Sequence, residues 1–88
     1  MRTICLDAAL WESRTEARKA LHDALELSEE YASNLDALYD ALTEARDIEL
    51  TIENADSLRE KFDRWGNSLL RMLRDAAEEN EFIRVTIH

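Results

Sequence analysis

Three short runs with strand character, Arg2 to Leu6, Ile48 to Glu53 and Phe82 to Ile87, are kept apart by long stretches of helical periodicity. No other feature restricts the fold as much. Strands so far apart in the chain cannot be hairpin neighbours, so they are expected to join as parallel strands through right-handed crossovers. The middle run, Ile48-Glu49-Leu50-Thr51-Ile52-Glu53, alternates strictly between apolar and polar side chains, which is the period of a strand with one wet face. Parallel sheets are usually covered on both faces, and this alternation predicts the less common case. The expectation is a two-layer α/β fold, a three-stranded parallel β-sheet with all its helices packed on one face.

The helical stretches divide by their caps and apolar spacing. Ser13-Arg14-Thr15-Glu16 reads as a capping box, after which Ala17, Ala20, Leu21, Ala24 and Leu25 form one apolar stripe. Ser33 or Asn34 can cap a second helix, in which Leu35, Leu38 and Leu42 fall within about a 60° sector. A short third helix is expected from Asp56 or Ser57, with Ser57 and Glu60 as another capping box. Gly66 is expected to break it, and a fourth helix then runs from about Asn67 to Glu79 with Leu69, Leu70, Leu73, Ala76 and Ala77 inward. No proline occurs, the only glycine is Gly66, and no tract is low in complexity, so nothing marks a linker. Residues 1–88 read as a single domain.

Charge narrows the function classes. Twenty acidic side chains against 11 basic ones give a formal charge of -9, a field that repels polyphosphates and anionic headgroups. Direct binding to nucleic acid or to a membrane surface is therefore disfavoured, and a basic protein partner is favoured. Cys5 is the only cysteine; it reads as a small buried hydrophobe and excludes both an internal disulfide and a thiolate metal cluster. With no apolar leader or membrane span in the sequence, the expected location is a reducing cytoplasm. The free chain is expected to be a monomer, its oligomeric state otherwise open.

Little in the chain looks like chemistry. There is no glycine-rich phosphate loop and no Ser, His and Asp arrangement, and His22 and His88 lie far from any acidic pair in sequence. Neither a metal nor a cofactor is expected. Asp36 and Asp40 lie four residues apart on one side of the second helix, beside Tyr39 and Thr43 and opposite the leucines. Carboxylates placed in this way stay ionised together, whereas a hydrolytic pair faces across a cleft that raises one pKa. The chain is accordingly not expected to be an enzyme. From spacing alone a solvated face is the commoner reading of such a helix and a contact surface the rarer one. Trp11 and Trp65 read as packing at helix junctions.

The stretch from Leu27 to Thr43 contains Tyr31, then Asn34-Leu35-Asp36-Ala37-Leu38-Tyr39-Asp40, and it resembles the signature of the barstar family. The resemblance continues more weakly through the opening strand, the helix around Leu70 to Ala76 and the terminal Val85-Thr86-Ile87. Barstars are intracellular bacterial inhibitors, or immunity proteins, of secreted ribonucleases of the barnase kind. What the resemblance implies is a three-stranded parallel sheet with helices on one side, and inhibition by occlusion of a basic ribonuclease's active site. Asp40 would be the central group, mimicking an RNA phosphate, with Asp36 meeting a second basic group and Tyr39 as an aromatic anchor. Glu30, Tyr31, Ser33, Asn34, Leu35, Thr43 and Asp75 would complete the partner-binding surface. The chain departs from the family pattern at Glu30, where a tyrosine is common, at Ala32 in place of glycine, and at Tyr39 in place of tryptophan. These changes remove ring area and stiffen the loop, and they leave open an adaptor that keeps the fold without tight inhibition.

Overall fold

The computed structural model describes residues 2–26 and 35–88. In chain order they form β1 (Arg2–Asp7), a 3-10 turn (Ala8–Leu10), α1 (Arg14–Ala24), α2 (Leu35–Glu44), β2 (Ile48–Glu53), α3 (Asp56–Glu79) and β3 (Ile83–Ile87). The sheet is three-stranded, in the order β1-β2-β3, and both pairings are parallel. Each crossover steps in the same direction across the sheet, and right-handed crossovers stepping one way lay their helices on one face. The side chains agree with that arrangement. Ile4, Leu50 and Val85 share one register row and Leu6, Ile52 and Ile87 the next, all on the helix side. Ile48, Leu50 and Ile52 of the central strand are buried, and Glu49, Thr51 and Glu53 between them are not.

Cys5 corrects the sequence reading. It is exposed, because strand parity places it in the row of Thr51 and Thr86 on the uncovered face while Ile4 and Leu6 on either side of it point to the helices. Apolar neighbours in the sequence are no guide to burial in a strand, where successive side chains face opposite ways.

The core lies between this sheet and the helices. Leu21 of α1, Leu38 and Leu42 of α2, and Leu58, Leu69, Leu70 and Leu73 of α3 are essentially inaccessible to solvent, each contributing about 1.5–3 kcal/mol by burial. Trp11 is buried among them, as read from the sequence. Lys61 Nζ donates to the carbonyls of Ala9 (2.9 Å) and Trp11 (3.1 Å) and ties this turn to α3. The Ser13 hydroxyl caps α1 by accepting from the Glu16 amide. Glu16 reaches one residue further back than a reciprocal box requires and accepts from the Glu12 amide.

The expected third and fourth helices are one element with a kink, and the kink is at Asp63 (φ 46°, ψ −120°), not Gly66. Gly66 is buried inside the second limb, and its role is to allow close approach rather than to break the helix. A Cβ built on it would stand 2.1 Å from the Leu58 carbonyl oxygen, backbone that cannot rotate aside. The Ser57 and Glu60 capping box is also absent: α3 starts after Ala55 with no side-chain cap, and Arg59 Nη1 instead pairs with Asp56 Oδ1 at 2.6 Å. Gly66→Ala is therefore expected to destabilise the fold by about 1–3 kcal/mol, although alanine gains about 1 kcal/mol in helix propensity. Urea unfolding checks this, and a variant as stable as the parent would show that the two limbs are not in such contact.

Asn80 closes this layer. It is 5% exposed, and its Nδ2 donates to the carbonyls of Leu42 (2.9 Å) and Ala45 (2.6 Å) at the end of α2. Its Oδ1 accepts from the Phe82 amide at 2.9 Å, at the start of β3. One buried amide thus joins the C-terminal ends of α2 and α3 to the sheet.

Candidate functional site

The apolar side of α2 fixes which side chains it can offer to a partner. Burying Leu38, Ala41 and Leu42 turns Asp36 and Asp40 outward, and both carboxylates are exposed. Asp36 lies in the first turn, where the positive end of the helix dipole favours a negative charge. Leu35, Tyr39 and Thr43 are half-buried at the edge of this face. The Thr43 hydroxyl donates to the Asp40 carbonyl at 2.8 Å, so it is committed to the helix backbone.

The second limb of α3 runs beside α2 and completes the site. A shallow groove of about 270 Å³ between them is lined by Leu35, Asp36 and Tyr39 from one helix and by Ser68, Arg71, Met72 and Asp75 from the other. Asp75, which sequence spacing alone cannot connect to α2, is thus brought to the same surface. Tyr39 is the aromatic among its lining residues: partial desolvation, then the charges of Glu79, Asp75 and Asp40, push its phenol above the ordinary value of 10.0. At neutral pH the phenol is a neutral hydrogen-bond donor that shares its groove with Asp36 and Asp75.

Glu79 and Arg71 were missed from the sequence. The signal was there, since 71, 75 and 79 recur at four-residue spacing along one side of a helix. Glu30, Tyr31, Ser33 and Asn34, together with the expected Ser33 or Asn34 cap and Ala32, lie outside the described residues. Among the described residues no group of three His, Cys, Asp or Glu side chains could hold a metal ion. No helix among them is long and apolar enough to cross a membrane.

Chemically, the surface sets carboxylates from two helices beside one aromatic hydroxyl, with the Arg71 guanidinium among them on the α3 side. It can accept charge-assisted hydrogen bonds from guanidinium or ammonium groups, bidentate where the donor is arginine. The proximity can be checked on Tyr39 itself. Removing negative charge in Asp75→Asn with Glu79→Gln is expected to lower the pH at which the Tyr39 phenol ionises, read as the ultraviolet difference from Tyr39→Phe. An unchanged titration would place those carboxylates away from the ring.

No curated protein matches the chain. The family model described as Barstar (barnase inhibitor) matches residues 1–88, the whole chain, and the protein therefore belongs to the barstar family.

Proposed function

We propose that this barstar-family protein inhibits a basic ribonuclease of the barnase kind by setting the α2–α3 acidic face into the enzyme's active-site cleft. The observation that carries the reading is that Asp36 of α2 and Asp75 of α3 line one accessible groove with Tyr39, with Asp40 exposed on the same side of α2. An enzyme that cleaves a phosphodiester holds phosphate with Arg, Lys or His, and carboxylates delivered to that cleft take the same hydrogen bonds. The inhibitor imitates the charge of the substrate and offers no bond to cleave. Asp40 is the central mimic, Asp36 meets a second cation, and Tyr39 packs as the anchor with Leu35, Thr43 and Asp75 around it. Glu30, Tyr31, Ser33 and Asn34 extend the contact along the chain leading into α2. The excess negative charge also steers a cationic partner to this face, an effect that salt screens.

The place of action is the reducing cytoplasm of a bacterial cell, where the protein serves as an immunity factor. The alternative, an adaptor without tight inhibition, is favoured by Tyr39, which offers less ring area than the tryptophan usual in the family. Mixing the protein with a panel of small basic ribonucleases separates the two. An inhibitor abolishes RNA cleavage at one equivalent of at least one of them, whereas an adaptor binds and leaves cleavage intact.

A further inference from the structure

Away from the acidic face, basic side chains collect at the junction of α1 and α3. Arg14, Arg18, Arg59 and Arg64, four of the 11 basic side chains, gather around Trp65 at the junction of α1 and the kink of α3. Trp65 and Arg14 line two adjoining hollows. One, of about 570 Å³, is completed by Arg59, Phe62, Asp63, Arg64 and Asn67, and the other, of about 430 Å³, by Ser13, Thr15 and Arg18. The indole is half-buried and is held by Phe62, with ring centroids 5.7 Å apart and planes at 86°. Arg59 is part of the scaffold, donating from Nε to Asn67 Oδ1 at 3.1 Å across the kink and pairing with Asp56. Arg14 and Arg64 are exposed and their side chains make no hydrogen bond or ion pair with any described residue.

We propose that Trp65, Arg14 and Arg64 form a binding site for a nucleoside phosphate, the base stacked on the indole and the phosphate held by the two guanidinium groups. An aromatic ring flanked by uncommitted arginines is the pairing that holds single nucleotides, since every base has a π-face and every phosphate accepts from a guanidinium. The larger hollow falls in the volume range of small-ligand sites. The positive end of α1 adds to the local potential at Ser13 and Thr15. Asp63 also lines the larger hollow; its carboxylate is mismatched to phosphate and matched to donors, such as ribose hydroxyls, so it orients the ligand.

The negative charge of the whole chain does not forbid this. Ten residues of helix, about 15 Å, separate Trp65 from Asp75, and the Debye length in physiological salt is about 8 Å. A mononucleotide or the phosphorylated end of a strand meets the local field, whereas a long polynucleotide meets the acidic face as well. An acidic protein segment would need an extended row of cations, and these are grouped in a short hollow.

The test is a titration of the full chain, following the Trp65 indole N–H signal by NMR, assigned by its loss in Trp65→Phe. Adenosine 5′-monophosphate is expected to shift this signal saturably, with adenosine at least about tenfold weaker. The double variant Arg14→Gln with Arg64→Gln should weaken the nucleotide by about tenfold or more, and Asp40→Ala should not change it. A 5′-phosphorylated RNA tetranucleotide that binds equally well identifies a strand end as a source of the ligand, and one that does not bind identifies free nucleotide; both support the site. Inorganic phosphate with the same midpoint as the nucleotide would overturn it, as would tighter binding of a decaglutamate peptide at the same signal. Absence of saturable nucleotide binding, or binding indifferent to the arginine double variant, would overturn it equally.

Discussion

Asp40→Ala is expected to weaken inhibition of the target ribonuclease by about 2–5 kcal/mol, roughly 30-fold to several thousand-fold in Kd, a range to which charge pairs of barnase with barstar themselves contribute. Most of the loss comes from the partner: truncating the carboxylate strands buried cations that had given up their water for it. The free protein should hardly notice, because Asp40 is exposed in α2 and its removal relieves a like-charge contact with Asp36 of roughly 0.2–0.5 kcal/mol. The expected signature is a large change in inhibition constant and dissociation rate with an unchanged unfolding midpoint. Intact inhibition, or a variant that unfolds, would remove Asp40 from its assigned role.

Asn80→Asp should do the opposite, damaging the fold first and binding second. The amide donates to two carbonyls of α2 while accepting from the Phe82 amide, and a carboxylate can do only the last of these. Leu42 and Ala45 lose their donor, and a negative charge is turned toward both carbonyl oxygens in a site almost closed to water. A cost of about 3 kcal/mol or more is expected, which for a domain of this size lowers Tm by roughly 12–24 °C. The introduced carboxyl should have a raised pKa in the folded state, because burial and the facing carbonyls disfavour its anion. Its defect is then smallest below the unfolded carboxyl pKa and grows as pH rises through the folded one. Thermal melts of the parent and the variant across that range check both magnitude and sign. Because Asn80 holds the end of α2 against α3, inhibition should fall together with stability, unlike in Asp40→Ala.

Much of this architecture can be read without coordinates because it is local. The alternation from Ile48 to Glu53 states the strand and its wet face, and the leucine spacing in α2 states which side is buried, so Asp36 and Asp40 are necessarily outward. The Ser13 cap is equally local. Three features resist such a reading, each for its own reason. Gly66 looked like a helix breaker because glycine is a poor helix former, yet its missing side chain answers to the Leu58 carbonyl of the preceding limb. Ser57 and Glu60 have the spacing of a capping box, but α3 starts one residue before Ser57, after a cap residue with no side-chain hydrogen bond. The apolar neighbours of Cys5 hide its parity in the strand, which sets it beside Thr51 on the open face.

The α/β class and the outward acidic side of α2 are legible in the linear chain because both rest on periodicities of two to four residues that the backbone imposes, and the family resemblance is legible there as a motif matched residue by residue. No spacing in the chain shows that Asp75 of α3 lines one groove with Tyr39 of α2, or that four arginines gather at Trp65. Those groupings depend on how helices cross and where α3 bends. Such choices are made by the packing of the whole core and are written in no short stretch of the chain.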